Sequence, residues 1–141
     1  MYVDNSSVDT SSPTLTDFSS TDLLRIGVRS NLGNNYLGNI DELSLWNKGL
    51  SVTEVSELYN NGIPSNLASH SSYSNAISWW KMGEDAIFDG SNWRIPDNAG
   101  SNDGTSANMT LSDRVGDAPN SINNALSINM VEVDRETDVP T

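Results

Sequence analysis

The residues of this chain that carry chemistry are few, and their spacing limits what they can do. His70 is the single histidine and cysteine is absent, so neither a Ser-His-Asp nor a Cys-His relay has its parts on a fixed scaffold. His70 lies in a serine-rich stretch and reads as a solvated loop residue. Asp41-Glu42 is the obvious carboxylate pair for glycoside hydrolysis, which needs two carboxyls flanking one bond. Neighbouring strand residues point to opposite faces, so the pair is expected to serve hydrogen bonding, with Asp41 accepting backbone N–H groups at a turn. Asp97, Asn98, Asn102 and Asp103 share one glycine-containing loop and offer hard oxygen ligands of the kind calcium takes. The loop has no EF-hand spacing, and Asp, Asn and Gly are equally the residues of an ordinary turn. Calcium is the one cofactor these residues suggest. Trp46, Trp79, Trp80 and Trp93 are the candidates for stacking on sugar rings.

Positioning these groups falls first to residues 37–62. Leu43 and Leu45 alternate with Glu42, Ser44 and Trp46, the period-two pattern of a half-covered strand. Ile40 is out of phase, which asks for a bulge near Asp41 or a strand buried on both sides. Ser51 with Glu54 three residues on is a capping box, with Leu50 and Val55 placed as a hydrophobic staple. A short helix is predicted over 51–60, with Val52, Val55, Leu58 and Tyr59 as its apolar stripe and Asn60-Asn61-Gly62 as its stop.

Upstream, residues 1–5 read as a strand entering a turn at Asn5. Residues 23–29 alternate, with Leu24, Ile26 and Val28 on one face. Downstream, residues 63–75 read as a linker by composition. Residues 76–83 read as a strand with Trp80 and Trp79 on opposite faces. A repeat closes the chain: Ser106-Ala107-Asn108-Met109 with Asp113-Arg114, Asp117 and Pro119 recurs as Ser127-Ile128-Asn129-Met130 with Asp134-Arg135, Asp138 and Pro140. The offset is 21 residues, Asn108 to Asn129, at every matched position. Two copies are too few for a solenoid and read as equivalent strand-plus-turn or docking segments.

Composition excludes several function classes. The chain has 141 residues and a net charge of −12, with 7 basic residues scattered among 19 acidic ones. Nucleic-acid binding needs clustered Lys and Arg and is not expected. No apolar run reaches the roughly 20 residues of a membrane span, and no signal peptide opens the sequence.

Gly38-x-Ile40-Asp41-Glu42-Leu43-x-Leu45-Trp46-Asn47, then Leu50-Ser51 and Glu54-Val55 to Leu58-Tyr59-Asn60, resembles the closing segment of laminin G-like, concanavalin A-type jelly-roll domains. Trp80-Lys81-Met82-Gly83-Glu84, followed by Asp97-x-x-Gly100-x-x-Asp103-Gly104-Thr105, resembles the opening of such a repeat. Residues 86–94 depart from the family's shorter connector. The resemblance implies that Trp80 is a core residue, and some relatives hold calcium at the sandwich rim. The repeated C-terminal segment resembles the tails of laminin G-like structural proteins of bacteriophages, marine ones in particular.

The expected fold is therefore all-β, a concanavalin A-like (laminin G-like) jelly-roll sandwich, incomplete on this chain, with one short helix near 51–60. Residues 1–62 would form its C-terminal half, 63–75 a linker, 76–105 the opening strands of a repeat and 106–141 a tail. Val3, Leu24, Ile26, Val28, Leu43, Leu45, Val55 and Trp80 are the expected core. The resemblance implies a non-enzymatic virion or extracellular structural and adhesive protein, with other copies of itself or other virion proteins as partners and cell-surface glycan as a ligand. Trp79 and Trp93 are then the candidate carbohydrate-binding residues, and Asp97, Asn98, Asn102 and Asp103 the candidate calcium ligands. The alternative is a carbohydrate-binding module belonging to a larger secreted protein or glycosidase.

Overall fold

Asp4 and Asn5 take φ of 47° and 61°, the left-handed pair that a tight two-residue hairpin turn requires. They join β1 (Tyr2–Val3) to β2 (Ser6–Ser7), with Tyr2 opposite Ser7 and Val3 opposite Ser6. The turn predicted at Asn5 is present. The computed structural model describes residues 1–9, 24–27 and 36–116, which belong to two units, Met1–Ile40 and Asp41–Thr141.

In the first unit Tyr36 donates its N–H to the Gly27 carbonyl at 2.7 Å. The covered strand predicted over 23–29 does not hold in its described part. Residues 24–27 form no strand, and Leu24 and Ile26 are 61% and 40% exposed. Gly27 at φ 72° turns the chain out of the extended form that alternation presupposes. Val3, also expected in the core, is exposed. Val28 lies outside the described residues.

The second unit is built on β3 (Leu43–Trp46) and β4 (Ala76–Trp80), paired antiparallel with Leu43 opposite Trp80, Ser44 opposite Trp79 and Leu45 opposite Ser78. A register shift after Leu45 sets Trp46 against Ala76. The segment that resembles closing strands thus pairs, within the chain, with the one that resembles opening strands. Between them runs α1 (Val52–Tyr59). Its capping box is formed: Ser51 Oγ accepts from the Glu54 N–H at 3.3 Å and Glu54 Oε2 from the Ser51 N–H at 2.7 Å. Asn60, Asn61 and Gly62 follow at φ 43°, 58° and 76°, and the left-handed run ends the helix.

Residues 63–75, a linker by composition, hold two 3-10 turns, Leu67–Ser69 and Tyr73–Asn75, and bury Leu67, His70 and Ser72. The solvated-loop reading of His70 is corrected here. Its Nδ1 accepts the Ser72 N–H at 3.1 Å, Nε2 lies 3.0 Å from the Glu54 carbonyl, and its ring is 5.0 Å from that of Trp46. Polar composition misled because both ring nitrogens are satisfied inside, which removes the cost of burial.

A second sheet follows, with β5 (Ile87–Phe88), β6 (Trp93–Ile95) and β7 (Gly104–Thr105) antiparallel in that order. The insert at 86–94 is therefore a hairpin, turned by Asp89, whose Oδ1 takes the N–H groups of Ser91 and Asn92. Phe88 and Trp93 meet across it with ring centroids 5.1 Å apart. Among the described residues the buried hydrophobic side chains are Leu67, Trp79, Trp80 and Trp93. Of the expected core residues that are described, Trp80 alone is fully buried; Leu43 and Val55 are half-buried and Leu45 is 37% exposed. The described fold is small and β-rich, three small antiparallel sheets with one short helix. Among the described residues a jelly-roll sandwich is not shown.

Candidate functional site

Two places concentrate polar chemistry; the sequence marked one as a candidate site and noted only a pair, Asp41-Glu42, of the other. Asp97, Asn98, Asn102 and Asp103 come together as expected, but their groups face the protein. Asp97 Oδ1 accepts the N–H groups of Trp79, Ala99 and Gly100 at 2.9–3.1 Å, and Oδ2 accepts that of Asn102 at 3.0 Å. Asn98 donates its N–H to the Trp79 carbonyl at 2.7 Å, while its own carbonyl takes the Tyr73 hydroxyl. Asn102 gives its amide to Ser78 Oγ at 3.0 Å and its carbonyl to Trp80 Nε1 at 2.8 Å. Asp103 accepts the Asp97 N–H and pairs with Arg94 at 2.5 Å. Burial pushes the Asp97 carboxyl up, but the N–H groups of Trp79, Gly100 and Asn102 together hold it well below the usual range. The Asp97 oxygens are thus engaged by N–H donors of the loop and of β4. The loop closes the outer edge of β4 by satisfying both backbone groups of Trp79. Gly100 is required there: a Cβ would stand 2.4 Å from the Ile77 carbonyl oxygen.

The two tryptophans that are candidates for stacking on a sugar have little free ring surface. Trp79 and Trp93 are both buried. Trp79 Nε1 donates to Glu42 Oε2 at 2.6 Å and Lys81 Nζ lies 4.8 Å from its ring centre. Trp93 Nε1 donates to the Thr110 carbonyl at 2.9 Å, with the Arg114 guanidinium 5.8 Å from its ring. Both faces of β4 are covered, so opposite directions of Trp79 and Trp80 did not expose either one.

At the second place the pair Asp41-Glu42 was read as divided between two faces, and its third member, Glu84, was missed. Glu42 immediately precedes β3 with φ 49°, a left-handed conformation that is uncommon for a non-glycine residue. That break cancels the strand alternation expected to separate Asp41 from Glu42. Carboxylate oxygens of Asp41, Glu42 and Glu84 all lie within 4.8 Å of one another. Glu84 comes from the turn after β4, where Met82 is also left-handed, at φ 60°. Burial, and then the charges of Glu84 and Asp41, push the Glu42 carboxyl up to about 7, against the opposing Trp79 hydrogen bond and Lys81. The visible signal was Ile40, whose phase allowed a backbone break near Asp41 as one of two readings.

Glu42 lines two cavities. One, of about 90 Å³, is shared with Ser44, Leu58, Pro64, Leu67 and Trp79. The other, of about 230 Å³, runs past Asp41, Tyr59, Gly62 and Ile63. Small-molecule sites are usually larger, roughly 300–1,000 Å³. Three carboxylates at this spacing can share a proton or contribute to a cation site, which for calcium takes six to eight oxygens. No protein-family model, curated protein or solved structure matches the chain.

Proposed function

We propose that the chain is a non-enzymatic structural or adhesive component of a virion or extracellular assembly, held in place by other copies of itself or by neighbouring proteins. The resemblance of residues 37–62 and 76–105 to laminin G-like segments motivates this reading. The observation that carries it is the mismatch between apolar content and core. In the unit Met1–Ile40, Met1, Val3, Leu24, Ile26, Tyr36 and Leu37 are all exposed, Leu37 to 95%. In the other unit Val52, Ile77, Ile87 and Leu111 stand in solvent as well. Fully burying one such side chain is worth about 1.5–3 kcal/mol, and a domain's whole stability is only about 5–15 kcal/mol. Covering a few of them by association is therefore a large gain. Among the described residues no helix is long and apolar enough to cross a membrane, so a bilayer-spanning helix does not account for them there.

Light scattering on the purified chain across a dilution series tests the reading. The expected result is an oligomer that tightens with added salt, because a chain of net charge −12 repels its copies. A monomer that melts cooperatively at every concentration, with no mixed complex in its native surroundings, would sink it.

A further inference from the structure

Residues 69–73 are polar by composition, yet three consecutive members, His70, Ser71 and Ser72, all grip α1. Glu54 and Glu57 stand three residues apart and so on one face of that helix. Glu57 accepts the Ser71 N–H at 2.8 Å and the Ser71 hydroxyl at 2.5 Å. Glu54 Oε1 accepts the Ser72 hydroxyl and pairs with Lys48 Nζ at 2.6 Å. His70 adds its bond to the Glu54 carbonyl. The same stretch runs into β4 through the turn Tyr73–Asn75, where the Asn75 carbonyl accepts the Asn47 N–H at 2.9 Å. The grip therefore ties α1 to the junction of β3 and β4.

Two backbone groups fix the tautomer of His70. A carbonyl can only accept, so Nε2 carries the proton shared with Glu54. An amide N–H can only donate, so Nδ1, 3.1 Å from the Ser72 nitrogen, must present its lone pair. A second proton on the ring can go only to Nδ1, where it meets the Ser72 N–H head on. The imidazolium and the Ser72 bond exclude each other, and the residue is only 7% exposed.

The charged groups around the ring do not remove that conflict. From α1, Glu57 Oε2 lies 3.8 Å from Nε2. Its charge attracts an imidazolium whether or not the Ser72 bond is made. Glu54 offers the ring its carbonyl, while its carboxylate is shared by Lys48 and the Ser72 hydroxyl. Lys48, from the bend after β3, reaches within 3.3 Å of Ser72 Oγ and opposes a second positive charge there. From β3 itself, Trp46 presents an uncharged ring. Lys48, then Ser72 and the Ser51 N–H, hold the Glu54 carboxyl well below the usual range, and the Ser71 hydroxyl and N–H hold Glu57 down. Mild acid therefore leaves both glutamates charged. Histidine is the side-chain type in this set that ordinarily changes charge between about pH 5 and 8.

We propose that His70 is an acid-operated latch: neutral, it binds residues 67–75 to α1, and protonated at Nδ1 it gives up the Ser72 N–H and loosens that segment. The proton binds the loosened form better, which is what a shift of population requires. The latch stands independently of the assembly reading above.

The test is an NMR titration of the full chain from about pH 8 to about pH 5, the span in which histidine ordinarily titrates. At the upper end the imidazole nitrogen shifts should show a proton on Nε2 and a bare Nδ1. As the ring protonates, the Ser72 amide should shift with it and its exchange protection should fall about tenfold, the loss of one hydrogen bond. Glu42, raised to about 7, titrates in the same span, and the Trp79 indole N–H that it accepts reports that step separately. The Ser72 change should persist in Glu42→Gln. It should vanish in His70→Asn, whose side-chain oxygen can accept an N–H two residues on and takes no proton. A proton on Nδ1 at the upper end, a ring that stays neutral to the lower end, or a ring that protonates while Ser72 keeps its protection would each overturn the proposal. So would a Ser72 change that survives in folded His70→Asn. The titration of the parent chain decides the matter even where neither variant folds.

Discussion

The loop around Asp97 and the cluster around Glu42 are both rich in carboxylates and both adjoin the same two-stranded sheet, the first along β4 and the second at the strand ends, yet they behave in opposite ways. Asp97 faces four backbone N–H groups and stays ionised well below the ordinary carboxylate range. Glu42 faces two other carboxylates and is lifted to about 7. Burial opposes ionisation in both. What differs is what faces each carboxylate: backbone N–H donors at Asp97, and at Glu42 a more buried site shared with two carboxylate side chains. The turn 82–85 touches both places: Glu84 joins the cluster, while Asp85 accepts the Asn98 amide at 2.7 Å.

The largest effect separating the two places should come from Asp97→Ala. It strands the N–H groups of Trp79, Ala99, Gly100 and Asn102 together, at a cost of about 3–4 kcal/mol, since a hydrogen bond to a charged group is worth roughly 1.5–3 kcal/mol. Urea unfolding measures it; a loss below about 1 kcal/mol would mean that the loop does not hold the edge of β4.

Glu42→Gln should act in the other direction, from about pH 4.5 upward and in full above pH 7. Because the folded-state pKa is raised from 4.5 to about 7, the contribution of this group is fully present below pH 4.5. It is lost as pH rises from there to 7. The glutamine variant should therefore match the parent at pH 4 and exceed it at pH 8 by about 1–3 kcal/mol, one pKa unit being worth about 1.4 kcal/mol before allowance for partial exposure. Thermal melts of the two chains at both pH values check this. A variant less stable than the parent at pH 8 would show that the Trp79 bond outweighs the crowding of carboxylates.

Gly100→Ala should cost about 1–3 kcal/mol, because the new methyl meets a backbone oxygen that cannot step aside. An unchanged denaturation midpoint would indicate a loop free to shift, and so a weaker closure of β4 than the hydrogen bonds imply.

The smallest effect concerns calcium. At about 1 mM the ion should leave the melting temperature of the parent within about 1 °C, because the Asp97 oxygens are already bonded. A rise abolished by Asp97→Asn would restore the loop as a cation site, and a rise abolished by Glu84→Gln would assign the ion to the cluster.

Local features were legible in the residues themselves. The Ser51–Glu54 capping box, the Asn60-Asn61-Gly62 stop, the Asn5 turn and the strand at β4 all depend on contacts within a few positions. They formed where their chemistry required. The jelly-roll resemblance of residues 37–62 and 76–105 extended further in expectation than the described structure reaches, which is a small β-rich arrangement of three sheets.

What tertiary structure decided was which side of each element is covered and what each polar group faces. Trp79 is buried, and Leu58 and Leu67, from segments distant in sequence, line a cavity with it. The apolar side chains of 24–27 are exposed although their alternation reads like a core strand. Asp97 and Glu42 are the same functional group, and no local pattern distinguishes their protonation. Backbone propensity and capping are short-range, whereas burial and electrostatics sum over partners brought together only by the fold.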